Sequence, residues 1–196
     1  MSVIFEHIGS HLGLDNSSTA DNLESVFNKY HESLMPKLGN FLGHVCEFAH
    51  YDRLIQQGIK VVKHPNGQRM APDLQIVFQN KTYWIEDKNC SAGSYGKITN
   101  NCVPLRNYKH SYRNVKDSGT KDLYYAFPDE NDKEYILAVC THPLTKKLEW
   151  KYAFFKDLPE HPKHPGRIAS NLKVPLEPDA DDIWENSLID LLKRKV

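Results

Sequence analysis

Two arms of alternating side chains, separated by two turn-forming residues, constrain this chain more than any other feature. Leu74-Gln75-Ile76-Val77-Phe78 and Lys81-Thr82-Tyr83-Trp84-Ile85 flank Gln79-Asn80. β-Branched and aromatic residues with a period of two read as strands, and a two-residue loop between them reads as a hairpin. That loop sets the register: Phe78 faces Lys81, and each outward step continues the ladder until Asp73 stands opposite Glu86. Because side chains alternate faces, Leu74, Ile76, Phe78, Tyr83 and Ile85 share one face, and Asp73, Glu86 and Lys88 share the other. A slip of one residue would turn all five apolar side chains to water, so burial specifies the pairing. The same register points Asp87 to the apolar face. There it must pair with a base, lie at a frayed strand end, or mark a wrong register.

Directly opposed residues carry Cβ atoms roughly 4.5–5.5 Å apart, so carboxylates at positions 73 and 86 repel unless something positive separates them. Two hard oxygen ligands with room for water suit Mg²⁺, which keeps several waters and bridges to phosphate oxygens. Lys88, two residues beyond Glu86 on the same face, would lie near a phosphate held there.

Around the hairpin the pattern alternates between helix and strand. Asp21 to Leu34 and Leu38 to Gln57 carry apolar residues at helical spacing, closed by Pro36 and Gly58. Ile59 to Val62 reads as a strand, followed by a turn at Pro65-Asn66-Gly67. Val103 to Lys116 reads as a helix, with Pro104 in its first turn and Leu105, Tyr108, Tyr112 and Val115 as its stripe, more plausibly packing than base stacking. Asp122 to Phe127, Glu134 to Thr141 and Leu148 to Phe155 read as strands, and Asp182 to Lys195 as an acid-first, base-last helix. The fold class expected is α/β: helix, three strands, helix, strand, with added helices at the N-terminus and strands plus a helix at the C-terminus.

One domain over residues 1–196 is expected, with a core of about 38–155, an N-terminal helical segment 1–37 and a C-terminal extension 156–196. The chain is 40% hydrophobic and 26% charged, with no run of 18 apolar residues and no basic-then-apolar leader, which points to a soluble cytoplasmic protein without a membrane partner. Cys46, Cys90, Cys102 and Cys140 lack CxxC spacing and read as reduced thiols. The net charge is zero, but it is segregated: Asn89 to Lys116 holds five Lys or Arg and no acid. His161 to Leu176 is also acid-free and carries Lys163, Arg167 and Lys173. Such segregation suits one side facing a polyanion, and equally suits ordinary solvated faces.

Pro72-Asp73, twelve intervening residues and Glu86-Asp87-Lys88 resemble the motif of the PD-(D/E)xK nuclease superfamily, whose core is also helix, three strands, helix, strand. The resemblance covers Leu38 to roughly Phe127. It implies that Asp73 and Glu86 hold one or two Mg²⁺, that Lys88 orients or activates the attacking water, and that Glu47 on the upstream helix joins them. Glu47, however, lies nearly opposite the apolar stripe of its helix. Single-domain members of this size, with a basic segment after the ExK strand, are most similar to type II restriction endonucleases. That implies a prokaryotic Mg²⁺-dependent enzyme, acting as a homodimer and cutting both strands of double-stranded DNA at one sequence. Contacts to DNA are expected from Lys97, Asn100, Asn101, Arg106, Lys109, Arg113, Lys116 and Arg167, with any base reading by the loop Asn89 to Asn101.

Two other readings share these residues: a structure-selective nuclease such as a Holliday-junction resolvase, and a noncatalytic nucleic-acid-binding protein on the same fold. An intact Asp, Glu and Lys set counts against the second, since a binder has no need for two repelling carboxylates. Pro128-Asp129 with Glu149-Trp150-Lys151 also spells the motif, but Asp129 falls in a turn cluster that would hold its carboxylate loosely. His7 and His11, spaced i, i+4 without an accompanying HExxH pattern, are not expected to hold a metal, and the loop pair His161 and His164 could touch DNA phosphates but is expected to be solvated.

Overall fold

A computed structural model describes residues 43–63, 72–91, 96–108, 124–128 and 134–194. In chain order these form helix α1 (residues 43–56), strands β1 (Lys60–Lys63), β2 (Leu74–Phe78), β3 (Lys81–Asn89), β4 (Cys102–Arg106) and β5 (Glu134–Cys140), helix α2 (His142–Thr145), strands β6 (Trp150–Phe154) and β7 (Asn171–Pro175), and helix α3 (Leu188–Lys193).

The hairpin register is the one its sequence dictates: Phe78 pairs with Lys81 and Leu74 with Ile85. Gln79 and Asn80 both take positive φ, 48° and 62°, giving the mirror-image turn whose twist matches that of the flanking strands. Strand β1 extends this hairpin on the β2 side, antiparallel. On the other side β5 runs parallel to β3, and β6 closes the sheet antiparallel to β5, for an order β1-β2-β3-β5-β6. A strand in that position must be apolar on both faces, and β5 is: Ile136, Leu137, Ala138, Val139 and Cys140 are all buried.

Each face of the sheet has its own cover. On one, Cys46, Ala49 and Leu54 of α1 and Leu188, Leu191 and Leu192 of α3 pack on Ile76, Ile85, Ile136 and Tyr152. On the other, β4 and β7 form a two-stranded antiparallel ribbon whose Val103, Leu105, Leu172 and Val174 pack with Leu137, Val139 and Ala153. Truncating Ile85 or Leu137 to Ala would cost about 2–5 kcal/mol through lost burial and the remaining cavity. Helix α1 ends at Gly58, whose φ of 76° strains any residue with a Cβ, as the sequence placed it. Helix α3 begins at Ser187, whose side chain accepts from the Asp190 backbone N–H.

Three expectations are corrected. The proposed helix over Val103 to Lys116 begins instead as strand β4: Val103 and Leu105 alternate inward against Leu172 and Val174, and this period of two wins over the helical stripe. Pro104 fits there because its carbonyl points away from β7, accepting from Ser91 N–H at 2.8 Å, so its missing donor costs the ribbon nothing. Residues 109–123, including Lys109, Arg113 and Lys116, lie outside the described residues. The proposed strand Asp122 to Phe127 is reduced, in its described part, to one bridge between Ala126 and Arg167. The last helix starts at Leu188 rather than Asp182, because Glu185 pairs with Tyr152 at the sheet edge through two backbone hydrogen bonds. The first proposed helix, the turn at Pro65-Asn66-Gly67, His7, His11 and Asp129 fall outside the described residues. No helix among the described residues is long and apolar enough to cross a membrane.

Candidate active site

Strand β3 outruns β2. The β2 ladder stops at Leu74–Ile85, while β3 continues beside β5 through Glu86–Leu137, Asp87–Ala138, Lys88–Val139 and Asn89–Cys140. Among the described residues, Glu86 to Asn89 therefore have a strand on one side only. On the open side the Asp73 carboxylate takes the place of a strand: Asp87 N–H donates to Asp73 Oδ2 at 2.7 Å. This satisfies a backbone donor and brings the Asp73 carboxylate close to Glu86.

Glu86 is held from two directions. The Tyr125 hydroxyl donates to its Oε1 at 2.6 Å, and the Lys88 ammonium forms an ion pair with the same oxygen. Lys88 also lies 5.8 Å from the centroid of the Tyr125 ring, within cation–π range. Tyr125 in turn rests edge-on against Phe155, with centroids 5.4 Å apart, so the ribbon-side core positions it.

The electrostatics follow from crowding. Burial, then the neighbouring Glu86, pushes the Asp73 carboxyl from its ordinary 3.8 up to about 8, despite opposing pulls from Lys88 and the Asp87 amide. Burial alone would lower the Lys88 ammonium, but Glu86, Tyr125 and Asp73 outweigh it and raise the pKa, so Lys88 stays charged. Tyr125 is raised by burial and by Glu86, against a lowering by Lys88, which keeps its hydroxyl a donor.

Asp87 does face the core, 9% exposed, and it has the base that such a position requires. His50 Nδ1–H donates to Asp87 Oδ1 at 2.7 Å, and His50 Nε2 meets the Tyr152 hydroxyl at 3.0 Å. The His50 ring stacks on Trp150 with centroids 5.0 Å apart. Asp87, Ala138 and Tyr152 form one cross-strand row, so the imidazole spans the position of the small Ala138 to reach both neighbours. His50 had a signal in the sequence. It shares the buried stripe of α1 with Cys46 and Leu54, four residues away on either side, and a polar residue there answers a carboxylate on the facing strand.

Glu47 is bonded to His44 at 3.1 Å and lines a cleft at the end of β3 with Asp87, Lys88, Asn89, Cys46, Cys140 and Trp150, a set without Asp73 and Glu86. Glu47 is thus close to the hairpin end but on the Asp87 side. The second motif is spent elsewhere: Lys151 is buried and donates to the Leu176 carbonyl and the Asn186 side chain.

Among the expected DNA contacts, Lys97, Asn100, Asn101 and Arg106 are exposed, with Asn100 and Asn101 in a turn of positive φ, 50° and 56°. Arg167 is half-buried, its guanidinium on the Tyr124 carbonyl. His161 is buried rather than solvated, packed on Tyr124 with centroids 4.2 Å apart.

The donor set can be judged against a cation. Among the described residues no three His, Cys, Asp or Glu side chains are grouped to hold a metal. Asp73 and Glu86 make a pair, whose Oδ1 and Oε2 atoms take no part in the bonds described above. Burial first, and Glu86 second, hold the Asp73 carboxyl at about 8 against the pull of Lys88, so a further positive charge beside the pair would favour its ionised form. Two hard oxygens with open water positions fit a Mg²⁺-like ion, not a caged one.

No known protein family and no curated protein matches the sequence. A solved structure of a bacterial homing endonuclease aligns with 77% of this chain and 89% of its own, at 13% identity and a TM-score of 0.44, a likeness too distant to bear on function.

Proposed function

We propose that the protein is a divalent-cation-dependent DNA endonuclease with its site at Asp73, Glu86 and Lys88. The observation that carries the reading lies at the end of the β2–β3 ladder: two carboxylates converge where the strands part, one fixed by the Asp87 amide and the other by Tyr125 and Lys88. Asp73 and Glu86 would hold a divalent cation such as Mg²⁺, and such an ion would supply the Lewis acidity that polarises a phosphate and lowers the pKa of a bound water. Lys88 keeps a positive charge beside that phosphate and stabilises the charge that develops as the phosphodiester is attacked. Tyr125 fixes which Glu86 oxygen faces Lys88, and the other oxygen would be open to a cation.

DNA binding draws support from the ribbon. Its inner residues are buried, while Arg106, Asn171 and Lys173 face solvent with no acid in either strand. A two-stranded ribbon fits the DNA major groove, and basic side chains hold backbone phosphates without reading sequence. Ser91, just beyond β3, bonds to Pro104 on the ribbon, so the ribbon and the carboxylates belong to one surface region. One hairpin gives one site and one strand cut. Two copies about a two-fold axis would cut both strands at a palindrome, the mode of a restriction enzyme.

Incubation with plasmid in Mg²⁺ or in chelator, followed by end-sequencing, tests the reading. Expected are Mg²⁺-dependent double-strand breaks at one short palindrome, lost in Asp73→Asn and Glu86→Gln. Breaks confined to junctions or flaps would overturn the restriction mode. No cleavage of any DNA with Mg²⁺ or Mn²⁺ would overturn the endonuclease reading.

A further inference from the structure

The buried Asp87–His50–Tyr152 chain lies on the face of β3 opposite the carboxylates, and the scheme above uses none of its side chains. We infer that His50 and Asp87 are positioning residues that fix the Asp73 carboxylate through the Asp87 backbone amide; the functional consequence rests on the endonuclease reading.

Three observations join in this. First, the end of β3 has no β2 partner beyond Ile85, so the ladder alone does not fix the Asp87 peptide on its open side. Second, that peptide carries the N–H that grips Asp73 Oδ2. Third, the Asp87 side chain is anchored from below by a ring that cannot easily shift: His50 is fully buried, stacked on Trp150, and tied at its far nitrogen to Tyr152 on β6. Anchor and grip belong to one residue, the side chain directed into the face under α1 and the N–H along the open strand edge. A tilt of the Asp87 side chain turns its peptide, and with it the direction of the N–H. Glu86 and Lys88, the residues on either side, move with it.

The chain is also built at some cost, which argues for a task. Asp87 Oδ2 is buried without a hydrogen-bond partner among the described residues, where an apolar residue would pack without penalty. Ala138 leaves the space through which His50 reaches both partners; a larger residue would close it. Burial raises the pKa of the Tyr152 hydroxyl, so it remains a donor to the ring.

Two near-isosteres of His50 separate its two ends. Asn places its amide nitrogen close to the histidine Nδ1 position and keeps a donor to Asp87; Gln places its amide near Nε2, facing Tyr152, and loses that donor. The readouts are hydrogen exchange at the Asp87 amide by NMR, measured without cation or DNA, and turnover and KM on plasmid. Expected in His50→Gln is faster exchange at Asp87, with turnover or cation affinity lower by about ten- to a hundredfold at unchanged KM for DNA, the range seen when a group orienting a metal ligand is removed. His50→Asn should recover most of both. Tyr152→Phe, which deletes one hydroxyl from a packed ring, should move both readouts the same way by a smaller factor, and it serves if His50→Gln does not fold.

Unchanged Asp87 exchange in His50→Gln, or in Tyr152→Phe if that is the variant that folds, would overturn the inference. So would a loss in His50→Asn equal to that in His50→Gln. If wild type cuts no DNA but the amide responds as stated, the endonuclease reading falls and the positioning of Asp73 stands.

Discussion

Asp87 N–H donates to Asp73 Oδ2 at 2.7 Å along the open edge of the strand, while the Asp87 side chain leaves the sheet at right angles to that edge to meet His50. One residue thus closes an unpaired strand edge with its backbone and fills a buried polar gap with its side chain. The arrangement stores repulsion: a buried carboxyl beside Glu86 is hard to ionise, and the fold carries that penalty unless a cation relieves it.

This penalty gives stability a pH dependence. The Asp73 pKa is raised, from 3.8 to about 8, so between those values the native state holds a proton that the unfolded chain has released. Stability from this group is full below pH 3.8 and is lost as pH rises towards and through 8. In chelator, urea unfolding should show a falling contribution across that window, with a slope of at most about 1.4 kcal/mol per pH unit. Asp73→Asn should remove it and be the more stable protein at pH 8. Added Mg²⁺ should flatten the wild-type slope. A wild type and variant that run parallel from pH 4 to 8 would show Asp73 to be an ordinary carboxylate.

Thiol chemistry offers an independent check of the packing. Cys46, Cys90 and Cys140 are buried; burial pushes Cys90 up to about 12, and the neighbouring Cys46 thiol, then burial, raise Cys140. Thiolate is the reactive form, so Cys90 and Cys140 are slow to alkylate at pH 8, and Cys46 is shielded by its burial. Iodoacetamide should label only Cys102 in the native protein and all four after unfolding, as read by mass spectrometry. Labelling of Cys140 at the rate of Cys102 would contradict the burial of β5.

The hairpin and its register were legible because a two-residue turn and a five-residue apolar face leave one pairing open. The convergence of Asp73 and Glu86 followed from that register. The contacts that tune the pair were not legible, since Tyr125 and His50 come from residues 39 and 37 positions away from their partners, and only the tertiary fold brings them in. Asp87 still announced that some base must face it. The misread segment at Val103 failed for a different reason. Leu105, Tyr108, Tyr112 and Val115 satisfy a helical stripe, but the decisive alternation of Val103 and Leu105 gains meaning only once β7, almost 70 residues later, supplies Leu172 and Val174.

The ribbon predicts a salt dependence. If Lys173 on the ribbon and Lys97 in the segment before β4 each contact one phosphate, replacing either by Ala should lower the log–log salt slope of DNA binding by roughly 0.9. Arg106→Ala should do the same. All three side chains are exposed. Slopes that do not change by fluorescence anisotropy across 50–300 mM salt, a range of roughly one decade, would move the DNA surface away from the ribbon.

Lys88 separates catalysis from mere integrity of the site. It neutralises Glu86 through an ion pair and lies next to Tyr125, so removing its charge should leave the two carboxylates more negative. Lys88→Met keeps the unbranched stem and deletes the ammonium, while Tyr125 still holds Glu86. Cation affinity should therefore rise or stay constant, as read by calorimetry without DNA. Turnover should fall by about a hundredfold or more, because the charge that develops on the phosphate loses its partner, and a single well-aimed electrostatic donor is commonly worth that much. A damaged site would lose affinity and turnover together, whereas a lysine that only offsets Glu86 would change affinity and leave turnover alone. A fall in turnover with cation affinity constant or higher assigns Lys88 to the transition state.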